Sequence, residues 1–159
     1  MREIKFRGQT RKKGEQVRMD GTPVDGNWVY GGVRQGKGDF SMIYENETYE
    51  KRVVYTDTIC QYIGLKDKNG NKIWENDIVK YTDDLINKEK TVLIEFNETY
   101  ASFVRLYKSK MGLQYLYINE SIANNCEVIG NIFDNPELLN YVDNEVSKQA
   151  HQEVLKPAT

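Results

Sequence analysis

The chain has 159 residues, 39% hydrophobic and 29% charged, with a formal net charge of −2. That composition suits a folded domain able to bury a core without disulfides or metal, and it excludes an overall basic field for nucleic acid or acidic membrane. No apolar run approaches the roughly 18 residues of a spanning helix. The basic stretch MREIKFRGQTRKK leads into no apolar segment, so neither a membrane partner nor a secretory leader is expected.

In chain order the first signals have a period of two, the period of strands. In REIKFRG, Ile4 and Phe6 alternate with Glu3, Lys5 and Arg7. NWVYGGVRQ and DFSMIYE read as strands separated by Gly36–Asp39, and KRVVYTDTICQYIGL as one or two more. Within this region Gly31, Gly36 and Lys37 have the spacing of a phosphate-binding P-loop, but Gly38 stands where Ser or Thr would hold magnesium. A strand, not a helix, is predicted to follow, so this is read as a hairpin loop.

Next comes GLKDKNGNKIWENDIVKY, Gly64–Tyr81. Asp67, Asn69 and Asn71 alternate like the first ligands of a calcium loop. Counting from Asp67, however, the glycine falls two places early at Gly70, and Ile78 stands where the bidentate glutamate belongs. A hairpin accounts for the stretch better. Asp67 accepts backbone N–H groups, Lys68 and Asn69 turn the corner, and Gly70 takes the left-handed position before a bulge.

Beyond the polar TDDLINKEK the alternation resumes. Val92, Ile94 and Phe96 share a face, as do Phe103, Arg105 and Tyr107, and QYLYI and CEVIGNIF complete five strands over 77–133. Five short strands with tight links predict a small barrel, whose closure removes exposed edges. The chain then changes character. Asn135, Pro136 and Glu137 open a helix on which Leu138, Val142, Val146, Ala150 and Val154 recur every four residues. That stripe packs either on its own barrel or on a neighbouring subunit. The expected division is an N-terminal β region over 1–58, a hairpin and barrel over 59–135, and a C-terminal helix and tail over 136–159.

Chemistry-bearing patterns are few. Cys60 and Cys126 lie far apart with no CxxC and read as buried reduced thiols of a cytoplasmic protein. The one histidine, His151, sits in the tail helix with no triad or metal cluster around it. No catalytic residue, metal ligand or cofactor is assigned. The sequons at Asn46, Asn97 and Asn119 are read as polar turns. Residues 1–18 carry Arg2, Lys5, Arg7, Arg11, Lys12, Lys13 and Arg18, whereas 134–159 are acidic, an asymmetry able to steer head-to-tail contacts between subunits. The strongest binding signal is aromatic. Phe103, Arg105, Tyr107, Tyr115 and Tyr117, with Tyr100 nearby and Lys108 and Lys110 between, form a candidate face for stacking single-stranded nucleic acid. The alternative is that these rings fill or clad the barrel.

Three stretches also carry a likeness. WVYGG (Trp28–Gly32), TICQYIGLKDKNGNKIWENDIVKY (Thr58–Tyr81) and VIGNIFDNPELL (Val128–Leu139), with IKFRG (Ile4–Gly8) at the start, resemble the pattern blocks of the YopX family of phage and prophage proteins. The likeness covers roughly 4–139. It departs at Ile63, where the pattern commonly has Thr, and at Asn76, where it commonly has Gly. Because Asn tolerates left-handed backbone, that turn is expected to survive. The resemblance implies a mainly β fold that includes an SH3-like barrel, and the family offers no catalytic residues to carry over; the expected location is the host-cell cytoplasm. The expectation is a mainly β binding or assembly module that forms a homo-oligomer or meets a phage or host protein. Nucleic-acid binding is the alternative.

Overall fold

The computed structural model describes residues 3–10, 28–45, 48, 50–83, 88–109 and 112–142, with the side chains at 88 and 107–109 set aside. The described chain is mainly β, as its period-two patterning requires. It divides into two compact units, one ending at Tyr62 and the other beginning at Ile63.

The first unit holds β1 (Phe6–Gln9), β2 (Trp28–Arg34), β3 (Phe40–Tyr44), β4 (Lys51–Tyr55) and the start of β5 (Cys60–Lys66). All pairings are antiparallel, and β1 lies between β2 and β5. The stretch with P-loop spacing is the β2–β3 hairpin, where the Gly36 N–H donates to Ser41 Oγ at 3.0 Å. Gly31 allows β2 to approach β3 closely, because a Cβ there would sit 1.9 Å from the Tyr44 carbonyl oxygen. Ile43 and Val54 are fully buried on the inner face. A 3-10 turn, Thr56–Thr58, joins β4 to β5. Thr58 Oγ1 donates to the Tyr55 carbonyl at 2.8 Å and accepts from the Gln9 N–H at 2.8 Å, so this buried hydroxyl is satisfied.

In the second unit β5 turns through Asp67–Asn71 into β6 (Lys72–Trp74), then β7 (Asp77–Asp83), β8 (Lys88–Asn97), β9 (Ser102–Ser109), β10 (Gly112–Tyr117) and β11 (Cys126–Asn131). The last five form an antiparallel sheet in the order β10-β9-β8-β7-β11, so the strands read from 77 to 133 are those of one sheet with β10 and β11 at its ends. One face carries a core of Ile63, Ile73, Val79, Val92, Ile94, Phe103 and Cys126. The other is covered at one end, where Leu139 and Val142 pack on Ile78, Leu93 and Leu106.

Local polar groups set the turns. Two of the three sequons are such turns: Asn97 Oδ1 accepts from the Tyr100 N–H at 3.1 Å, and Asn119 Oδ1 caps the short helix α1 (Glu120–Ala123) at 3.0 Å. Asn46 lies outside the described residues. Asn76 has φ of 65°, the left-handed backbone expected where the family pattern has Gly. After β11, Asn131 Oδ1 accepts from the N–H groups of Phe133 and Asp134, and Pro136 begins a 3-10 turn ending at Asn140. The expected helix is thus a 3-10 turn where it begins. Its positions Val146, Ala150, His151 and Val154 lie outside the described residues.

Candidate functional site

Asp67 shows what the most motif-like segment does. Its carboxylate is buried. Oδ1 accepts from the N–H groups of Asn69 (2.9 Å) and Asn71 (2.8 Å). Oδ2 accepts from the Asn71 side chain (3.2 Å) and from the Val128 N–H (3.0 Å), 61 residues away. Burial works against the charge, but the Val128, Asn71 and Asn69 donors outweigh it and hold the carboxyl below its ordinary value. The Lys68 N–H donates to the Cys126 carbonyl at 3.0 Å, and Lys68 Nζ meets Glu127 at 2.6 Å. The corner therefore closes the hairpin and also docks along β11. Asp77 acts similarly, its buried carboxylate accepting from the Trp74 N–H at 2.8 Å. Both aspartates accept from backbone N–H groups of their own turns.

The aromatic candidates do not share one surface. Strand side chains alternate between faces, and the register places Tyr115 opposite Leu106 and Tyr117 opposite Val104. The two tyrosines therefore share the face of Val104 and Leu106, while Phe103 and Arg105 belong to the opposite one. Phe103 is buried in the core, edge-to-face with Phe96 at 5.3 Å. Arg105 is only 7% exposed; its Nε donates to the Tyr117 carbonyl at 3.2 Å and its guanidinium lies 4.9 Å from the Tyr81 ring centroid. Tyr107 lies opposite Gln114 in the register, and its side chain is outside the described set. The structure does bring Tyr100, Tyr115 and Tyr117 together, with ring centroids 6.2 and 6.1 Å from Tyr100, and Tyr117 is 63% exposed.

A second exposed surface lies on β3 and β4, where Met42 is opposite Val53 and Phe40 opposite Tyr55, the latter pair in ring contact at 5.0 Å. Phe40 is 48%, Met42 39% and Val53 55% exposed. Sequence reasoning passed over this face. The signal was there in FSMIY and VVY, which put apolar residues at consecutive positions and so on both faces of a strand.

Reactive chemistry is muted. Cys60 and Cys126 are buried thiols, not disulfide-bonded, and burial pushes the Cys126 thiol up to about 11, which keeps it protonated. Among the described residues no group of three or more His, Cys, Asp or Glu could hold a metal ion, and no helix is long and apolar enough to cross a membrane.

A family model described as YopX protein matches residues 5–140. Among solved structures, protein EF1440 from Enterococcus faecalis is similar at 19% identity with a TM-score of 0.39, over 87% of this chain and 99% of that one. No curated protein matches the chain.

Proposed function

The chain belongs to the YopX family, and we propose that it is a non-catalytic binding or assembly module of a phage or prophage, working in the host cytoplasm, that self-associates through the outer face of β3 and β4. The observation that carries this is the contiguous display of Phe40, Met42 and Val53 on the solvent side of a sheet. Grouped apolar exposure of this kind marks protein contact surfaces, whereas single exposed apolar residues are ordinary. A sheet face meeting its own copy about a two-fold axis gives a self-complementary contact. Size-exclusion chromatography with light scattering tests the reading. A mass above that of the monomer, rising with concentration, is expected; a clean monomer at high concentration overturns it.

A second reading, binding of single-stranded nucleic acid, is favoured by the grouping of Tyr100, Tyr115 and Tyr117 as exposed rings. Arg105 supplies no phosphate contact to it, being buried against Tyr81. Fluorescence anisotropy with labelled single-stranded DNA and RNA at low and high salt decides. Binding that weakens with salt supports this reading, and its absence at low salt removes it.

A further inference from the structure

We infer that Asn69 is a site of spontaneous deamidation, and that the hydrogen bonds gathered by Asp67 set its rate by holding the Asn69–Gly70 bond out of reactive geometry. The sequence contains one Asn–Gly pair, and it is this one. Asparagine followed by glycine is the pair most prone to the reaction, because glycine has no side chain to crowd the ring that forms. Asn69 and Gly70 are both exposed, and beyond its chain neighbours nothing lies within 4 Å of where a Gly70 Cβ would stand, so water reaches the bond. The chemistry needs only water. The Gly70 main-chain nitrogen, having lost its proton, attacks Asn69 Cγ. A bond forms between those atoms, the Cγ–Nδ2 bond breaks, and Nδ2 leaves as ammonia with the proton that Gly70 gave up. Water then opens the cyclic imide at either carbonyl. One product is aspartate; the other is isoaspartate, whose main chain runs through Cβ and Cγ. One water is consumed, one ammonia is released, and nothing is oxidised or reduced.

The folded corner restrains that chemistry. Three consecutive N–H groups end on Asp67: those of Asn69 and Asn71 on Oδ1, at 2.9 and 2.8 Å, and that of Gly70 on the main-chain carbonyl, at 2.9 Å. The nucleophile thus keeps its proton in a hydrogen bond, and its peptide plane is pinned from both sides. Attack requires that proton to leave and the nitrogen to swing toward Cγ, and both break the bond to Asp67. The carboxylate beside it also opposes negative charge on the nitrogen. Reaction therefore proceeds from an opened corner, a local opening that leaves the rest of the fold in place. Isoaspartate adds one carbon to the main chain between Asn69 and the Gly70 nitrogen, so the three donors no longer converge on Asp67. The same carboxylate accepts from the Val128 N–H at 3.0 Å, and that tie to β11 is lost with the corner. Modification makes a passing opening permanent. This inference does not rest on the β3–β4 face, which lies in the other unit.

Peptide mass spectrometry after incubation at mildly alkaline pH tests it, with the aspartate and isoaspartate forms of the Asn69 peptide separated by chromatography. The full chain is compared folded, unfolded in guanidinium chloride, and as the Asp67→Ala variant, with circular dichroism reporting the fold. The expected rate is roughly tenfold or more slower in the folded chain than in the unfolded one, the factor a local opening equilibrium imposes. Asp67→Ala should raise the folded rate severalfold. Amide exchange at Val128 should be faster in the isoaspartate fraction than in unmodified protein. No deamidation at Asn69 in the unfolded chain overturns the site, and equal folded and unfolded rates overturn the restraint. An Asp67→Ala rate equal to that of wild type overturns the part given to Asp67, and unchanged Val128 exchange overturns the permanent opening. If Asp67→Ala does not fold, wild type in rising guanidinium decides: the Asn69 rate must climb before the circular dichroism transition, and a rise that merely follows the transition overturns the inference.

Discussion

At the residue scale, Asp67 is where a short motif becomes long-range structure. Its value comes from N–H donors that would be left buried and unpaired without it, including that of Val128 on β11. Asp67→Ala should therefore cost on the order of 3 kcal/mol, because hydrogen bonds to a charged group and the penalty for orphaned donors both count. Urea unfolding checks this. The pH dependence has a definite sign. The folded carboxyl lies below its ordinary value of 3.8, so its stabilisation is complete above that value and fades as pH falls from there through the lower folded value. Acid titration of the wild type should show this loss, and Asp67→Asn should flatten that part of the curve. Gly70 makes a separate contribution. It has φ of +83° and nothing within 4 Å of a Cβ placed there, so Gly70→Ala should cost about 1 kcal/mol from backbone conformation alone. A cost near zero in the same unfolding experiment would remove the left-handed position from the account. The turn was legible in DKNG because Asp, Asn and Gly each act on their own backbone. The Val128 partner was not, because nothing local in the sequence says which distant strand will present its N–H.

At the element scale the pleat decides which aromatics are available. Sequence alternation assigned Phe103, Arg105 and Tyr107 to one side of β9, since period two is a local property of the backbone. It could not say how β10 is registered against β9, and one residue of register exchanges the two faces. With Tyr117 opposite Val104, the tyrosines of β10 stand on the side away from Arg105. The guanidinium reaches the Tyr117 carbonyl and the Tyr81 ring. Two substitutions separate these roles. Arg105→Ala should lower stability by roughly 2 kcal/mol, through lost packing and a carbonyl left without its charged donor. Tyr117→Ala, at a mostly exposed position, should stay within about 0.5 kcal/mol. Thermal unfolding of the two variants is the measurement. A reversed order would mean that Arg105 is not the internal clamp the geometry describes. Asn76 is a further case of legible chemistry, since Asn tolerates the positive φ of this turn, and its N–H donates to the Ile94 carbonyl at 2.7 Å.

At the scale of the whole molecule, the proposed self-association has two candidate driving forces, and they answer differently to salt. The sequence offers a basic N-terminal stretch and an acidic C-terminal one, whose attraction fades once added ions shorten the screening length to a few ångströms. The structure offers Phe40, Met42 and Val53, whose burial releases water and is not weakened by added salt. The β3–β4 face predicts an assembly that persists or strengthens from low to high salt. Charged residues at its centre should abolish it, because an unpaired carboxylate cannot be buried against an apolar partner without a large desolvation penalty. Met42→Glu/Val53→Glu keeps both side chains on the solvent side, opposite each other in register, so the fold should survive while the two like charges repel any partner. Light scattering at low and high salt, on wild type and this double variant, distinguishes the forces. Association that resists salt and disappears in the variant assigns the contact to the sheet face. Association that melts with salt yet is untouched by the variant assigns it to the chain ends, and the sheet face would then have to serve a different partner.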